Sequence, residues 1–148
     1  MVWWGCDMAG PLHLSYEVEG GDLTQAGEAS SQMKQTLKQL GFPPDVIRRA
    51  SVCMYEGEIN MVIHADGGTA TVEVGLNDIT ITLADHGPGI PDIQQAMEPG
   101  WSTAGETARD LGFGAGMGLP NMKKYSDEMD VQSTVGVGTT VTMTIKMA

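Results

Sequence analysis

Three groups of residues in this 148-residue sequence have types and spacings that could do chemistry. The first group is Glu56, Asn60 and His64, which are four residues apart within a segment of helical periodicity. Such spacing places a carboxylate, an amide and an imidazole on one helix face. The row could hold a hydrated metal ion and activate a hydroxyl, or it could be a polar stripe that faces water.

The second group is the segment DHGPG at residues 85–89, which directly follows the strand-like run DITITLA. Strand alternation puts Asp85 on the same face as Ile79, Ile81 and Leu83, at the edge of the expected core. A carboxylate at that place needs a hydrogen-bond donor, because burying an unpaired charge is costly. A turn-forming aspartate is the alternative interpretation.

The third group is the glycine-rich run GFGAGMGL at residues 112–119, which leads into a helical segment. Closely spaced glycines expose backbone N–H groups, and a helix N-terminus adds positive potential, so the run is typical of an anion cradle for phosphates. It lacks the lysine of a P-loop. A flexible loop is the alternative.

Periodicity predicts a single α/β domain in which helices cover one face of one sheet, a two-layer α+β sandwich with a mixed, mostly antiparallel sheet. Pro91 and Pro120 are expected in the first turns of their helices, and residues 99–115 are expected to be a mobile lid. The expected elements are strands at 11–19, 70–74, 79–83, 130–134 and 139–147 and helices at 23–40, 45–64, 90–98 and 117–129.

Composition excludes several classes of partner. The net charge is −11 and only 8 residues are Lys or Arg, which argues against binding to nucleic acid or an anionic membrane. No apolar run approaches the length of a membrane span. Cys6 and Cys53 are expected to be free thiols, and we therefore predict a cytoplasmic protein. We also predict a tail at residues 1–10 and one domain at residues 11–148.

In chain order, E-x-x-x-N on a helix, D-x-G-x-G after a strand and G-x-G-x-G opening a helix resemble the Bergerat-type ATP-binding fold. This fold defines the GHKL superfamily of gyrase B, heat-shock chaperones, histidine kinases and MutL proteins. The stretch DHGPGIPDIQQAMEPGWST is most similar to the stand-alone anti-sigma factors and switch serine kinases. The lid departs from the anti-sigma pattern because Ala104 follows Ser102 and Thr103 where lysine is common.

The resemblance implies roles for individual residues with ATP or ADP and Mg²⁺ as cofactors. Glu56 would be the general base, Asn60 would hold Mg²⁺, and Asp85 would accept a hydrogen bond from the adenine amino group. The other implied nucleotide-binding residues are Gly87, Gly89 and Ile90 beside the purine, Ser102 and Thr103 in the lid, Gly112, Gly114, Ala115, Gly116, Met117, Gly118 and Leu119 around the phosphates, and Thr140 in the adenine pocket wall.

The resemblance also implies a function: a serine/threonine protein kinase of the anti-sigma type that phosphorylates a serine on an antagonist or scaffold protein. A sigma factor is a further implied partner, and a homodimer is expected. Two alternatives stay open: a nucleotide-dependent binding switch without significant phosphotransfer, and a detached histidine-kinase catalytic domain.

Overall fold

The computed structural model describes residues 12–21, 23–65, 67–100 and 118–147. These residues form five strands and four helices. In chain order they are β1 (Leu12–Glu19), α1 (Glu28–Gln39), α2 (Pro44–His64), β2 (Gly67–Val74), β3 (Asp78–Asp85), α3 (Ile93–Ala96), α4 (Gly118–Tyr125), β4 (Glu128–Thr134) and β5 (Gly138–Lys146).

The five strands form one sheet in the order β1-β2-β3-β5-β4. All four neighbouring pairs are antiparallel, so the described sheet is antiparallel throughout and not mixed. Ile81 lies opposite Val72 on one side and Met143 on the other, which aligns the apolar residues of the three central strands in rows.

One face of the sheet carries the core, as the alternation of apolar residues predicts. Ile79, Ile81 and Met143 are fully buried in one core cluster together with Met33 of α1 and Met54 of α2. The opposite face carries threonines and charged residues that remain partly or fully exposed. This arrangement confirms the two-layer architecture with helices on one face.

Helix α1 begins at Glu28 and not at residue 23. The buried carboxylate of Glu58 on α2 accepts hydrogen bonds from the N–H groups of Gly27, Ala29 and Ser30 at 3.0–3.1 Å. Gly27, with φ +98°, directs the chain into the helix. A carboxylate distant in sequence therefore defines where α1 starts.

Two other helices are shorter than predicted. Asp92 caps α3 by accepting from the N–H of Gln95, so Pro91 precedes the helix and does not lie in its first turn. Helix α4 ends at Tyr125, because the N–H of Asp127 already bonds to the carbonyl of Thr144 in β5. Pro120 does lie in the first turn of α4, as predicted.

None of the described helices has the length and apolarity that crossing a membrane requires. The predicted tail at residues 1–10 and most of the predicted lid lie outside the described residues.

Candidate functional site

Glu56 lies on the face of α2 that packs against α4. Burial raises the pKa of its carboxyl group, and a hydrogen bond with the side chain of Asn121 on α4 lowers it in part. Glu56 is thus a half-buried carboxylate with an amide partner, which is an environment suited to a proton acceptor.

Asn60, one turn further along α2, contacts the start of α4. A Cβ atom placed on Gly118 would lie only 3.0 Å from both Oδ1 and Nδ2 of Asn60. A larger residue at position 118 would have to push the Asn60 amide aside by a few tenths of an ångström. The last glycine of the predicted phosphate cradle therefore lies directly against the predicted Mg²⁺ residue, and Leu119 beside it is buried.

His64, at the end of α2, does not complete a metal site with Glu56. Eight residues separate the two along the helix, which corresponds to about 12 Å. Burial lowers the pKa of the His64 imidazole. No cluster of three or more His, Cys, Asp or Glu side chains occurs within residues 12–21, 23–65, 67–100 and 118–147. Among the described residues, no such cluster therefore accompanies Asn60.

Asp85 ends β3 on the core side of the sheet, as strand parity predicts. Its Oδ1 atom accepts hydrogen bonds from the N–H of Gly87 at 2.9 Å and from the N–H of Thr139 at 3.1 Å. Within the described part of the chain, no hydrogen bond reaches its Oδ2 atom. The carboxylate is held by one oxygen and can accept a ligand donor with the other.

The loop after Asp85 packs on the turn between β4 and β5. Gly89 has φ +82°, and a Cβ atom there would lie 2.5 Å from the carbonyl oxygen of Thr134. The N–H of Gly136 bonds to the carbonyl of Pro88 at 2.8 Å, and the N–H of Ile90 bonds to Oγ of Ser133 at 2.7 Å. Contacts within the protein thus require Gly89, in addition to any approach by a ligand.

Gly87 is also confined by the fold. A Cβ atom at this position would lie 2.6 Å from the Cβ of Ala65, which directly follows α2. The DHGPG loop therefore bridges the end of α2 and the β4–β5 turn.

The assignment of Thr140 requires a correction. Thr140 lies opposite Ala84 and Gln132 on the open face of the sheet, away from Asp85 and the helices. Its neighbour Thr139 is buried, bonds through its N–H to Asp85, and contacts Oγ of Ser133 at 2.8 Å through its hydroxyl. Adjacent strand residues point to opposite faces, so Thr139, and not Thr140, lies on the face of the sheet that Asp85 occupies.

Sequence reasoning missed both Thr139 and Asn121. Parity offered a signal for Thr139, since it shares a face with the apolar Val141. Asn121 follows Gly118 by three residues, which predicts one shared helix face. The remaining predicted residues, Ser102, Thr103, Gly112, Gly114, Ala115, Gly116 and Met117, lie outside the described residues.

Residues 47–148 match the family model for histidine kinase-, DNA gyrase B-, and HSP90-like ATPases. The serine/threonine-protein kinase RsbT of Bacillus subtilis is 34% identical over 112 residues, which cover 73% of this chain and 78% of that protein. An anti-sigma F factor of a Thermoanaerobacter species is also 34% identical, over 118 residues that cover 78% of this chain and 76% of that protein.

Among solved structures, the RsbU and RsbW domains of a Mycobacterium tuberculosis protein superpose with a TM-score of 0.59 at 17% identity. The match covers 93% of this chain and 32% of that longer chain. At this identity the superposition supports the fold alone.

Proposed function

Because this chain belongs to the family of histidine kinase-, DNA gyrase B-, and HSP90-like ATPases, we propose that it is an ATP-dependent serine/threonine protein kinase of the anti-sigma regulatory type. Its substrate is a serine on an antagonist or scaffold protein. The observation that carries this proposal is that Glu56 and Asn60 on α2 lie against α4, while Asp85 ends β3, a strand that packs against α2.

The described residues suit a nucleotide with Mg²⁺. Asn60 supplies an amide oxygen beside the backbone of Gly118, where the glycine-rich run enters α4. Mg²⁺ commonly takes few protein ligands and keeps several waters, so one amide oxygen is sufficient protein ligation. Asp85 has one carboxylate oxygen available for the amino group of adenine.

Each residue then has a defined task in the transfer. Asp85 selects adenine by accepting a hydrogen bond from its amino group, and the N–H groups of Gly87 and Thr139 keep that carboxylate oriented. Glu56 orients the acceptor hydroxyl and takes its proton as the phosphoryl group is transferred. Mg²⁺ supplies charge neutralisation on the phosphates.

A binding switch is the second candidate function. Several relatives are named as anti-sigma F factors, which supports the binding of a protein partner. In this second candidate function, ATP controls that binding and no phosphoryl group is transferred. In both cases the partner is a protein, and a homodimer acting in the cytoplasm remains our prediction.

A transfer assay distinguishes the candidates. The purified chain, γ-labelled ATP with Mg²⁺, and the antagonist-type domain encoded nearest its gene are mixed and the label on the domain is followed. We expect acid-stable phosphoserine with the wild type and with Glu28→Gln, an exposed control, and a loss of about 100-fold or more with Glu56→Gln.

The outcomes separate three functions. Acid-labile phosphohistidine would support the histidine-kinase alternative. Complex formation that responds to ATP without any phosphoserine would support the binding switch and contradict the kinase. Wild-type transfer by Glu56→Gln would remove the general-base role.

A further inference from the structure

We propose that Asn121 is a positioning residue that holds the Glu56 carboxylate in its working orientation. This role deepens the proposed kinase function and rests on it. The contact seam between α2 and α4 supports this role. On α2 the seam consists of Cys53, Glu56 and Asn60. On α4 it consists of Met122, Asn121 and Gly118.

The two helices meet along this seam in antiparallel register. The Sγ atom of Cys53 donates to the carbonyl of Met122 at 3.7 Å, and Asn60 contacts Gly118 three residues before Asn121. From Cys53 to Asn60 the residue numbers on α2 rise, whereas the numbers of the contacting residues on α4 fall from Met122 to Gly118. Glu56 lies between Cys53 and Asn60, so the contacts on both sides align it with Asn121.

The seam is anchored at both ends, which gives Asn121 a fixed place. Met122 and Cys53 are fully buried, and Leu119 is nearly so. Beyond Cys53, Arg49 bonds through Nη1 to Asp127 at 3.1 Å, just after α4. A side chain presented by an anchored helix loses little freedom when it forms a hydrogen bond, which suits it to position a partner.

The hydrogen bond has a chemical consequence for Glu56. The Asn121 amide donates to the carboxylate and lowers its pKa, against the larger rise that burial causes. Asn121 thereby favours the ionised form of the carboxylate and restricts its rotation, and it leaves oxygen lone pairs available for an acceptor hydroxyl.

The matched pair Asn121→Asp and Asn121→Ala tests this role. Aspartate has the same shape as asparagine but cannot donate when ionised, and it repels Glu56. We expect kcat to fall about 10-fold for Asn121→Ala and at least as far for Asn121→Asp, while the Kd for ADP changes less than two-fold. Lys123→Ala, an exposed change on the same helix, should leave both unchanged.

Two further measurements tie the effect to Glu56. In the Glu56→Gln background, Asn121→Asp should cause no further loss of kcat, since the repulsion is gone. A double-mutant cycle of Glu56→Ala and Asn121→Ala on denaturant unfolding, measured without nucleotide, should be non-additive.

The outcomes are separable from those of the proposed function. An additive unfolding cycle contradicts the contact itself, whether or not the chain is a kinase. Wild-type kcat in Asn121→Asp with an intact cycle contradicts the positioning role. Absence of transfer by the wild type contradicts the kinase proposal and leaves the unfolding cycle interpretable.

Discussion

Asp85 divides its two carboxylate oxygens between the fold and the proposed ligand. Asn at this position can keep Oδ1 for the N–H groups of Gly87 and Thr139, so the loop should survive. Its NH₂ group would then face the adenine amino group, donor against donor. We expect Asp85→Asn to weaken ADP binding about 10- to 100-fold in calorimetry with little change in melting temperature.

Asp130→Asn on the exposed side of β4 is the control for this measurement, and it should bind ADP as the wild type does. Unchanged ADP affinity in Asp85→Asn, or equal affinity for GDP in the wild type, would remove adenine recognition from the role of Asp85.

Glu56 should reduce stability at neutral pH, because burial raises the pKa of its carboxyl group above the ordinary value for glutamate. The folded state then binds the proton more tightly than the unfolded state does. Stability from this group is present below the unfolded pKa and is lost as pH rises through the folded pKa. Glu56→Gln should therefore raise the denaturant midpoint at pH 7.5 more than at pH 4.

An equal gain for Glu56→Gln at both pH values would mean that burial does not penalise its charged form. A residue that lowers stability while ionised is expected at a functional site, where charge is retained for chemistry.

At the scale of secondary-structure elements, the junction of α1 and α2 depends on one buried carboxylate. Glu58 is 2% exposed and accepts three backbone hydrogen bonds from the N-terminus of α1. Glutamine can accept with one atom only and brings an NH₂ group towards donors. We expect Glu58→Gln to lower the free energy of unfolding by about 2–4 kcal/mol.

Glu28→Gln, in the first turn of the same helix but exposed, should cost less than about 1 kcal/mol in the same denaturant titration. A Glu58→Gln protein as stable as this control would mean that the cap contributes little. Because Glu58 follows Glu56 by two residues, this variant should also be assayed for ADP binding, which we expect to persist.

At the scale of the whole molecule, β1 is an edge strand that pairs with β2 alone among the described residues. Our proposed homodimer uses this edge. Two chains of net charge −11 repel each other, and salt screens that repulsion. Light scattering should give about twice 15.7 kDa at micromolar concentration, with association strengthened by salt. A mass of one chain at all salt concentrations would contradict the dimer.

Much of the architecture could be predicted from local patterns, because the period of a strand or helix is written in consecutive residues. Alternation placed Ile79, Ile81, Leu83 and Asp85 on one face of β3, and four-residue spacing placed Glu56 and Asn60 on one face of α2. Both placements agree with the structure. The family resemblance then assigned roles that geometry alone leaves open.

Tertiary structure decided the partners of those residues. Thr139 meets Asp85 across 54 positions, Glu58 reaches back 28 to 31 positions to cap α1, and Asn121 meets Glu56 only because α4 packs antiparallel on α2. Periodicity says which face a side chain takes but not which distant element covers it. That depends on how loops close and how buried side chains interlock, and these are properties of the folded chain as a whole.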